Sequence, residues 1–301
     1  MDRQALDVPV EAELRLSGRT KVAMSLGYPI TQSLSPEVQT TAFRSCGLDW
    51  IYIAWGVRPE HLAVTVQALR GAENFAGGNV TAPHKERIVP LLDGLTPAAE
   101  RLQAVNVILR DQDRLIGDST DGAGALAAVR EAGWAPRGMR VLLLGAGGAA
   151  RAVGCALVQA GVASVWVCNR TLARAKSVAA LLQAAGCSQV RAGSLAEAPA
   201  ALGRMDWVVN ATSVGLQQDA PLLFDYSLLC PPLRVLDLVF FPRETPFLKQ
   251  AREQGCATLN GVGMLLHQAA LSFERWTGLE APTALMRVTL TGALDRRERT
   301  A

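Results

Sequence analysis

The 301-residue sequence contains no uninterrupted apolar run of about 18 residues, the length that a membrane-spanning helix requires. Its first fifteen residues are polar and mixed in charge, and they lack the basic-then-apolar order of a signal peptide. The 30 basic residues nearly balance the 27 acidic ones, so the net charge is only +3, and no block of like charge stands out. We therefore expect a soluble protein without nucleic-acid or membrane partners.

The sequence also lacks a cysteine pattern of the kind that binds metals or forms a disulfide framework. Its six cysteines are scattered, with no C-x-x-C pair and no histidine at metal-ligand spacing. In a chain of this length, such cysteines are typical of small buried side chains in a reducing compartment. The sequence predicts no metal site and a cytoplasmic location.

The most informative stretch that is present is VLLLGAGGAARA, residues 141–152, where an apolar strand runs into a glycine-rich turn and then a helix. Gly145 permits the tight turn, Gly147 lets a pyrophosphate approach the backbone, and Ala150 allows close packing of helix and strand. The free N–H groups at the helix start then face the phosphates. The pattern predicts a dinucleotide site, with a strand–helix turn that binds no ligand as the alternative.

The residues after the next predicted strand indicate which dinucleotide binds. In an NAD-binding unit, a carboxylate about 20 residues past the glycines takes the ribose hydroxyls. Here the strand VWVC ends in Asn169, Arg170 and Thr171, Arg174 follows one helical turn later, and no carboxylate is present. Guanidinium forks suit the 2′-phosphate of NADP. NADP is therefore favoured over NAD, and the alternative is that both arginines are merely solvated at a helix start.

The order of predicted elements divides the chain into two α/β units, in line with its length. Strands and helices alternate in the second half with short connections, which is typical of a parallel sheet covered on both faces. The stretch GWAPRG, residues 133–138, breaks the pattern. We predict a substrate domain over 20–132, completed by C-terminal helices over 261–301 that pack back on it. A Rossmann-like dinucleotide-binding domain is predicted over 133–260.

Polar residues lie at two predicted strand ends of the first half. Asn79, Thr81 and Lys85 follow one strand, and Asp121 follows another. Open α/β sheets bind ligands at the carboxyl ends of their strands. A lysine beside an aspartate can pass the proton that hydride transfer at a carbinol carbon requires, while the carboxylate orients the ammonium group. The alternatives are that Lys85 is a surface lysine and that Asp121 only caps a helix.

Two proline residues predict helix starts in the same half. Ser35 is placed as an N-cap, with Pro36 at the first helical position. Pro83 is expected to turn residues 83–92 into a short helix. Residues 105–110 and 114–117 flank a short polar turn and predict a hairpin.

Nine stretches, in order and covering residues 27–278, resemble the shikimate dehydrogenase family. They are GYPITQSLSP, GGNVTAPHKE, AVNV, GDSTDG, GAGGAARA, NRTLAR, NATSVG, DLVFFP and GVGMLLHQAA. The resemblance implies a two-domain α/β fold with an N-terminal substrate domain and a Rossmann-like NADP-binding domain. It also implies a reversible NADP-linked interconversion of 3-dehydroshikimate and shikimate, with a lysine as proton donor or acceptor.

The resemblance further implies roles for individual residues, with Lys85 and Asp121 as the catalytic dyad. The implied substrate contacts are Ser33 and Ser35 at the carboxylate, Asn79, Thr81, Asn106 and Gln268 at the ring hydroxyls, and position Phe240. The implied cofactor contacts are Gly145, Ala146, Gly147, Gly148, Ala149 and Ala150 in the phosphate turn, Asn169, Arg170, Thr171 and Arg174 around the 2′-phosphate, Thr212, Ser213 and Met264 by the nicotinamide, and also Val239 and Gly261.

The substrate half departs from the family pattern at several positions. Gln32 replaces a histidine, Gln39 and Thr40 replace a His-Asn pair, Val107 replaces a threonine, Ser119 replaces an asparagine, and Phe240 replaces a tyrosine whose hydroxyl helps hold the carboxylate. Loss of one hydrogen bond to a charged group costs about 1.5–3 kcal/mol, or roughly 10–150-fold in binding. Quinate or an aminated analogue as substrate, and a non-catalytic dinucleotide-binding sensor, are therefore the alternatives. Monomer and homodimer both stay open.

Overall fold

A computed structural model describes residues 16–216 and 221–300 of the chain. The polar N-terminal stretch on which the signal-peptide argument depends lies outside these residues, as does residue 301, the last of the predicted substrate domain. Within the described ranges, no helix is long and apolar enough to cross a membrane.

The first half of the chain forms a mixed six-stranded sheet in the order β2-β1-β3-β5-β6-β4. Its strands are β1 (Lys21–Gly27), β2 (Trp50–Gly56), β3 (Phe75–Val80), β4 (Gly94–Leu95), β5 (Val107–Asp111) and β6 (Arg114–Asp118). The strand β5 runs antiparallel to both β3 and β6, which confirms the predicted β5–β6 hairpin. Because β6 is consequently parallel to β3, the polar residues that follow these two strands meet at one edge of the sheet.

The helices of this half are α1 (Ser35–Ser45), α2 (Leu62–Gly71), α3 (Pro97–Leu102) and α4 (Asp121–Glu131). The prediction of Ser35 as an N-cap is wrong, because Leu34 already has helical backbone angles and the helix proper begins at Ser35. The hydroxyl of Ser33 instead accepts a hydrogen bond from the backbone N–H of Ser35 at 3.3 Å. The two serines are thus joined at the start of α1.

The predicted short helix over residues 83–92 is also wrong. Hydrogen bonds from the N–H of His84 to the Thr81 carbonyl and of Ile88 to the His84 carbonyl form turns. Only Val89–Leu91 is helical, as a single 3₁₀ turn. Pro90 has no N–H to extend an α-helical ladder. Lys85 therefore sits on a turn that follows β3.

The second half forms a fully parallel six-stranded sheet in the order β12-β11-β10-β7-β8-β9. Its strands are β7 (Arg140–Leu144), β8 (Ser164–Asn169), β9 (Val190–Ser194), β10 (Trp207–Asn210), β11 (Arg234–Asp237) and β12 (Ala257–Leu259). Its helices are α5 (Gly148–Gln159), α6 (Leu172–Ala184), α7 (Ala198–Ala201) and α8 (Pro246–Glu253). From β7 the strands are added first toward β9 on one side and then toward β12 on the other, so the strand order reverses between β7 and β10. Open α/β sheets bind ligands at such a point.

Four consecutive apolar residues, 141–144, form the buried part of the central strand β7. Val141 and Leu143 pack into the core on one face of the sheet, and Leu142 and Leu144 pack into the core on the other. All four are fully buried. The predicted parallel sheet covered on both faces is confirmed.

Two C-terminal helices, α9 (Val262–Thr277) and α10 (Thr283–Glu298), complete the first half. Phe273 of α9 and Met286 of α10 pack into one core with Ala23 of β1 and Phe43 of α1. Their return to the first sheet, and the two-domain α/β fold class, are as predicted. At its start α9 also reaches the other core, which contains Met264. The helix therefore spans both halves at the edge where their strands end.

Candidate active site

The structure brings Lys85 and Asp121 together. Lys85 lies on the turn after β3, Asp121 is the first residue of α4, and Lys85 Nζ donates a hydrogen bond to Asp121 Oδ2. The other carboxylate oxygen, Oδ1, accepts from Asn106 Nδ2 at 2.9 Å. Both carboxylate oxygens are engaged in this way, and the N-cap position of α4 is Thr120, so the alternative of Asp121 as a helix cap is wrong. The pair is a lysine–carboxylate dyad, 18% and 6% exposed.

Asn106 holds the carboxylate in place. Its Oδ1 accepts from the backbone N–H of Thr120 at 2.7 Å, which fixes the direction of the side-chain amide. Its Nδ2 consequently faces Asp121 and also lies 3.3 Å from Gln268 Oε1 on α9. Asn106 and Gln268, both predicted as substrate contacts, thus belong to the same hydrogen-bonded cluster as the dyad.

A second buried amide extends this cluster toward β2. Asn79 Nδ2 donates to the Asn106 carbonyl and to Ser272 Oγ, both at 3.0 Å, and its Oδ1 accepts from the Tyr52 hydroxyl at 2.8 Å. Burial raises the pKa of the Tyr52 phenol well above its ordinary value, although contacts with Ser25, Asn79 and Ser35 lower it. Ser35 is half-buried at the start of α1, and among the described residues its hydroxyl makes no hydrogen bond to this cluster.

Two members of this cluster, Tyr52 and Ser272, were not predicted from the sequence. Ser272 lies four residues after Gln268 on α9, so helical spacing places both on one face, and this signal was available. Tyr52 lies in strand β2, where burial does not alternate, and nothing in the sequence distinguishes its hydroxyl from that of an ordinary core tyrosine.

Three further predicted substrate contacts lie outside this hydrogen-bonded cluster. Among the described residues, no side-chain hydrogen bond joins Ser33, Thr81 or Phe240 to it. Thr81 directly follows β3, and Phe240 is half-buried against the core beneath α9 and α10. A phenyl ring at position 240 therefore presents no donor to a carboxylate.

Two of the departures from the family pattern have structural partners. Gln39 is fully buried on α1, and its Nε2 donates to the Ala269 carbonyl of α9 at 2.9 Å. The Thr40 hydroxyl accepts from the backbone N–H of Tyr52 at 3.0 Å. These side chains connect α1, the helix that begins at Ser35, to α9 and to β2.

The glycine turn after β7 has the shape of a phosphate cradle. Gly145 has a φ of +108°, and a Cβ there would lie 2.9 Å from the Ala211 carbonyl oxygen. A Cβ on Gly147 would meet no atom within 4 Å, so this backbone faces open space. On Gly148 a Cβ would lie 2.9 Å from Lys85 Cβ, which places the start of α5 against the dyad. Ala146 and Ala149 lie in the same turn.

Two arginines follow the end of β8. Arg170 and Arg174 are both solvent-exposed, and Asn169 Nδ2 braces the bend by donating to the Thr171 carbonyl at 3.0 Å. Arg174 Nε reaches back to the Ala146 carbonyl of the glycine turn at 3.3 Å. Open backbone at Gly147 with guanidinium donors beside it is a donor set that fits the phosphates of NADP.

The loop after β10 is fixed by a buried carboxyl group. Asn210 Oδ1 accepts from the N–H and hydroxyl of Thr212, and Asn210 Nδ2 donates to Asp237 Oδ1 at 2.9 Å. Asp237 also accepts from the N–H of Val239 and from the Thr245 hydroxyl. Burial raises the pKa of Asp237 to about 6. The linked pair therefore positions two predicted cofactor contacts, Thr212 through Asn210 and Val239 through Asp237.

The remaining predicted cofactor contacts lie around the same loops. Ser213 is exposed beside Thr212. A Cβ on Gly261 would lie 2.2 Å from the Leu238 carbonyl oxygen, so only glycine fits that position. Met264 is buried at the start of α9, in the core of the second sheet.

Family models describe most of the chain. Residues 26–108 match the shikimate dehydrogenase substrate binding domain, 128–217 match shikimate / quinate 5-dehydrogenase, and 261–290 match the shikimate 5′-dehydrogenase C-terminal domain. The chain is 42% identical over 286 residues to the shikimate dehydrogenase (NADP(+)) of Geobacter metallireducens, covering 93% of this chain and 99% of that one.

Solved structures show the same relationship. The chain is similar to shikimate 5-dehydrogenase from Thermus thermophilus in complex with NADP(H) and shikimate, with a TM-score of 0.80 and 36% identity over 91% of this chain and 99% of that one. It is also similar to quinate dehydrogenase from Corynebacterium glutamicum in complex with NAD, with a TM-score of 0.82 and 31% identity over 91% and 99% of the two chains. The chain belongs to the shikimate dehydrogenase family.

Proposed function

We propose that the protein is an NADP-dependent oxidoreductase that interconverts shikimate and 3-dehydroshikimate. The observation that carries the proposal is the Lys85–Asp121 pair, held by Asn106 and directly adjacent to the glycine turn. A structural ion pair would need neither a neighbouring phosphate cradle nor a surrounding set of oriented amides. The names of the relatives support the same reaction.

Lys85 is the residue that moves the proton. Its ammonium group donates to a ring ketone oxygen during reduction, and its amine accepts from the ring hydroxyl during oxidation. Asp121 orients Lys85 through Oδ2, and Asn106 prevents the carboxylate from rotating by occupying Oδ1. When bound, NADPH would supply the hydride for reduction and NADP+ would accept it in oxidation.

The chain's own residues account for cofactor binding on the second sheet. The backbone at Gly147 and the start of α5 receive the pyrophosphate, and Arg170 and Arg174 receive the 2′-phosphate. Since NAD lacks that phosphate, the same backbone can hold NAD with fewer contacts. NADP is therefore the preferred cofactor.

The substrate binds on the first sheet with its carboxylate toward α1. Ser33 and Ser35 donate to the carboxylate, while Asn79, Thr81 and Gln268 contact the ring hydroxyls. Asn79 Oδ1 keeps one lone pair free after accepting from Tyr52, so it can accept from a ring hydroxyl. Phe240 offers the carboxylate no hydrogen bond.

The domain division, location and assembly are part of the proposal. The two separate sheets support a substrate domain over 20–132 and 261–301 and a dinucleotide-binding domain over 133–260. All six cysteines are free, four of them buried, which supports a cytoplasmic location. Monomer and homodimer are both compatible with the proposal.

The direct test is an assay of the purified protein with shikimate and with quinate, each with NADP and NAD, following the reduced cofactor by absorbance. The proposal expects the highest kcat/KM with shikimate and NADP. Turnover with quinate but not shikimate would mean that the substrate site beside Phe240 is specific for a related ring acid. An aminated analogue is the next compound to test.

A dinucleotide-binding sensor predicts a different result. It would bind NADP without turnover of any ring acid, both in the wild-type protein and in a Lys85→Ala variant. An enzyme instead loses turnover in the variant and keeps cofactor binding.

A further inference from the structure

Glu86, the residue after Lys85, forms an ion pair that crosses from the first half of the chain to the second. Its Oε1 lies 2.6 Å from Arg174 NH2 on α6, and its Oε2 lies 3.9 Å from Arg151 Nε on α5. Glu86 is 35% exposed, Arg174 52% and Arg151 15%. The turn that carries Lys85 is therefore linked directly to the arginine beside the glycine turn.

The Arg174 guanidinium donates to two groups, one in each half of the chain. Its Nε already donates to the Ala146 carbonyl, and its NH2 donates to Glu86. A guanidinium fork binds carboxylate and phosphate with the same planar donors. A phosphate dianion that took this fork would also stand close to the Glu86 carboxylate, and like charges at that separation repel.

We propose that Glu86 determines cofactor specificity by competing with the 2′-phosphate of NADP for Arg174. The inference rests on the proposed function, in which Arg174 binds that phosphate. NAD has no 2′-phosphate and leaves the Glu86–Arg174 pair intact. Glu86 thus weakens NADP binding selectively, and a released Glu86 keeps Arg151 as a neighbouring cation.

The test is calorimetric titration of the protein with NADP and with NAD, without ring acid, in wild type and in Glu86→Gln. The variant removes the charge and keeps the side-chain length. We expect the Kd for NADP to fall about three- to tenfold, because the variant removes both the exposed Glu86–Arg174 ion pair and the repulsion between Glu86 and the 2′-phosphate. The Kd for NAD should change less than about twofold. The difference in NADP binding should shrink in high salt, which screens exposed charges.

Glu244→Gln is the matched control, because Glu244 pairs with Arg252 at the same 2.6 Å and lies outside the site. It should change neither Kd. Thermal unfolding of both variants checks that folding is retained. An unchanged or weaker NADP affinity in Glu86→Gln would overturn the proposed competition.

Arg174→Ala separates this inference from the proposed function. If Arg174→Ala leaves NADP affinity unchanged, the assignment of the 2′-phosphate to Arg174 is wrong. If it weakens NADP binding while Glu86→Gln has no effect, only the role of Glu86 fails. In the double variant the effect of Glu86→Gln should disappear, because the arginine for which it competes is absent.

Discussion

The substrate side and the cofactor side of the candidate active site are built in opposite ways. On the substrate side, Asn106 and Asp121 are both buried and lie in a continuous hydrogen-bonded cluster. On the cofactor side, Gly147 faces open space and Arg174 is 52% exposed with one carboxylate partner. A buried polar group is costly unless it is paired, so each substrate-side residue is fixed by its neighbours. The exposed arginine is free to exchange partners.

This contrast predicts two kinds of response to substitution. Loss of a substrate-side group disturbs the chemistry and leaves cofactor binding intact. Loss of an exposed cofactor-side cation changes which cofactor binds and leaves the chemistry intact. Four variants test this distinction.

Lys85→Met should have the largest effect. General acid–base catalysis contributes about 10²- to 10⁴-fold, so kcat for shikimate oxidation should fall by that factor. Lys85 packs against the glycine turn through its aliphatic stem, which methionine largely preserves. The Kd for NADP, measured by titration, should therefore stay within about twofold by the same reasoning of retained packing.

Lys249→Met, at an exposed position of α8, is the control and should retain full kcat. A Lys85→Met enzyme with normal kcat would remove the dyad from the mechanism. Loss of NADP binding together with kcat would show instead that the two sides are not separable.

Asp237→Asn tests whether a residue's burial or its side of the site decides how the protein responds to substitution, because Asp237 is buried but lies on the cofactor side. Its pKa is raised from 3.8 to about 6 by burial, so the folded state retains a proton that the unfolded state releases. The free energy of unfolding should therefore decrease as pH rises from 4 through 6, by about 3 kcal/mol in total. Asparagine keeps the oxygen that accepts from Asn210 and Val239.

Urea unfolding of wild type and Asp237→Asn between pH 4 and 7 measures this effect. The stability of the variant relative to wild type should rise across that range and level off above pH 6. A constant difference would mean that Asp237 ionises in the folded protein as readily as in the unfolded chain.

Arg174→Ala should produce a smaller and more selective change. We expect the Kd for NADP to rise about 10- to 100-fold, as for loss of a charge-assisted phosphate contact, and the Kd for NAD to change less than about twofold. Arg252→Ala, which removes a comparably exposed arginine of α8, should alter neither value. Equal weakening of both cofactors would place Arg174 at the pyrophosphate.

The sequence predicted what depends on local pattern. Gly145, Gly147 and the strand–helix order around them follow from the local sequence. The sequence also placed Lys85 and Asp121 after predicted strands, and the family resemblance paired them. The contact itself depends on the order of strands in the first sheet, which sequence periodicity does not give.

Other features depend on how distant segments meet. Glu86 and Arg174 are 88 positions apart, and their contact follows from the placement of one sheet against the other. The hydroxyl of Tyr52 acquires its role only through the orientation of Asn79. The helix predicted over 83–92 is absent: the chain after Pro83 forms turns, and only the single 3₁₀ turn Val89–Leu91 is helical, so the proline did not start a helix there.

Phe240→Tyr adds a hydrogen-bonding group on the substrate side instead of removing one, and it should have the smallest effect. Phe240 is half-buried against the core beneath α9 and α10, with no donor for a carboxylate. A tyrosine hydroxyl there can add one hydrogen bond to the substrate carboxylate. Because part of that gain offsets desolvation of the hydroxyl, we expect the KM for shikimate to fall by up to about tenfold, with little change in kcat.

Phe241→Tyr makes the same chemical change at the neighbouring ring, which stacks with Arg297 at 3.8 Å, and should leave the KM unchanged. Steady-state kinetics with shikimate and quinate at saturating NADP measure both variants. A lower KM for both ring acids would indicate a contact with the shared carboxylate. A lower KM for shikimate alone would indicate that position 240 reads the ring, and an unchanged KM would show that Ser33 and Ser35 already satisfy the carboxylate.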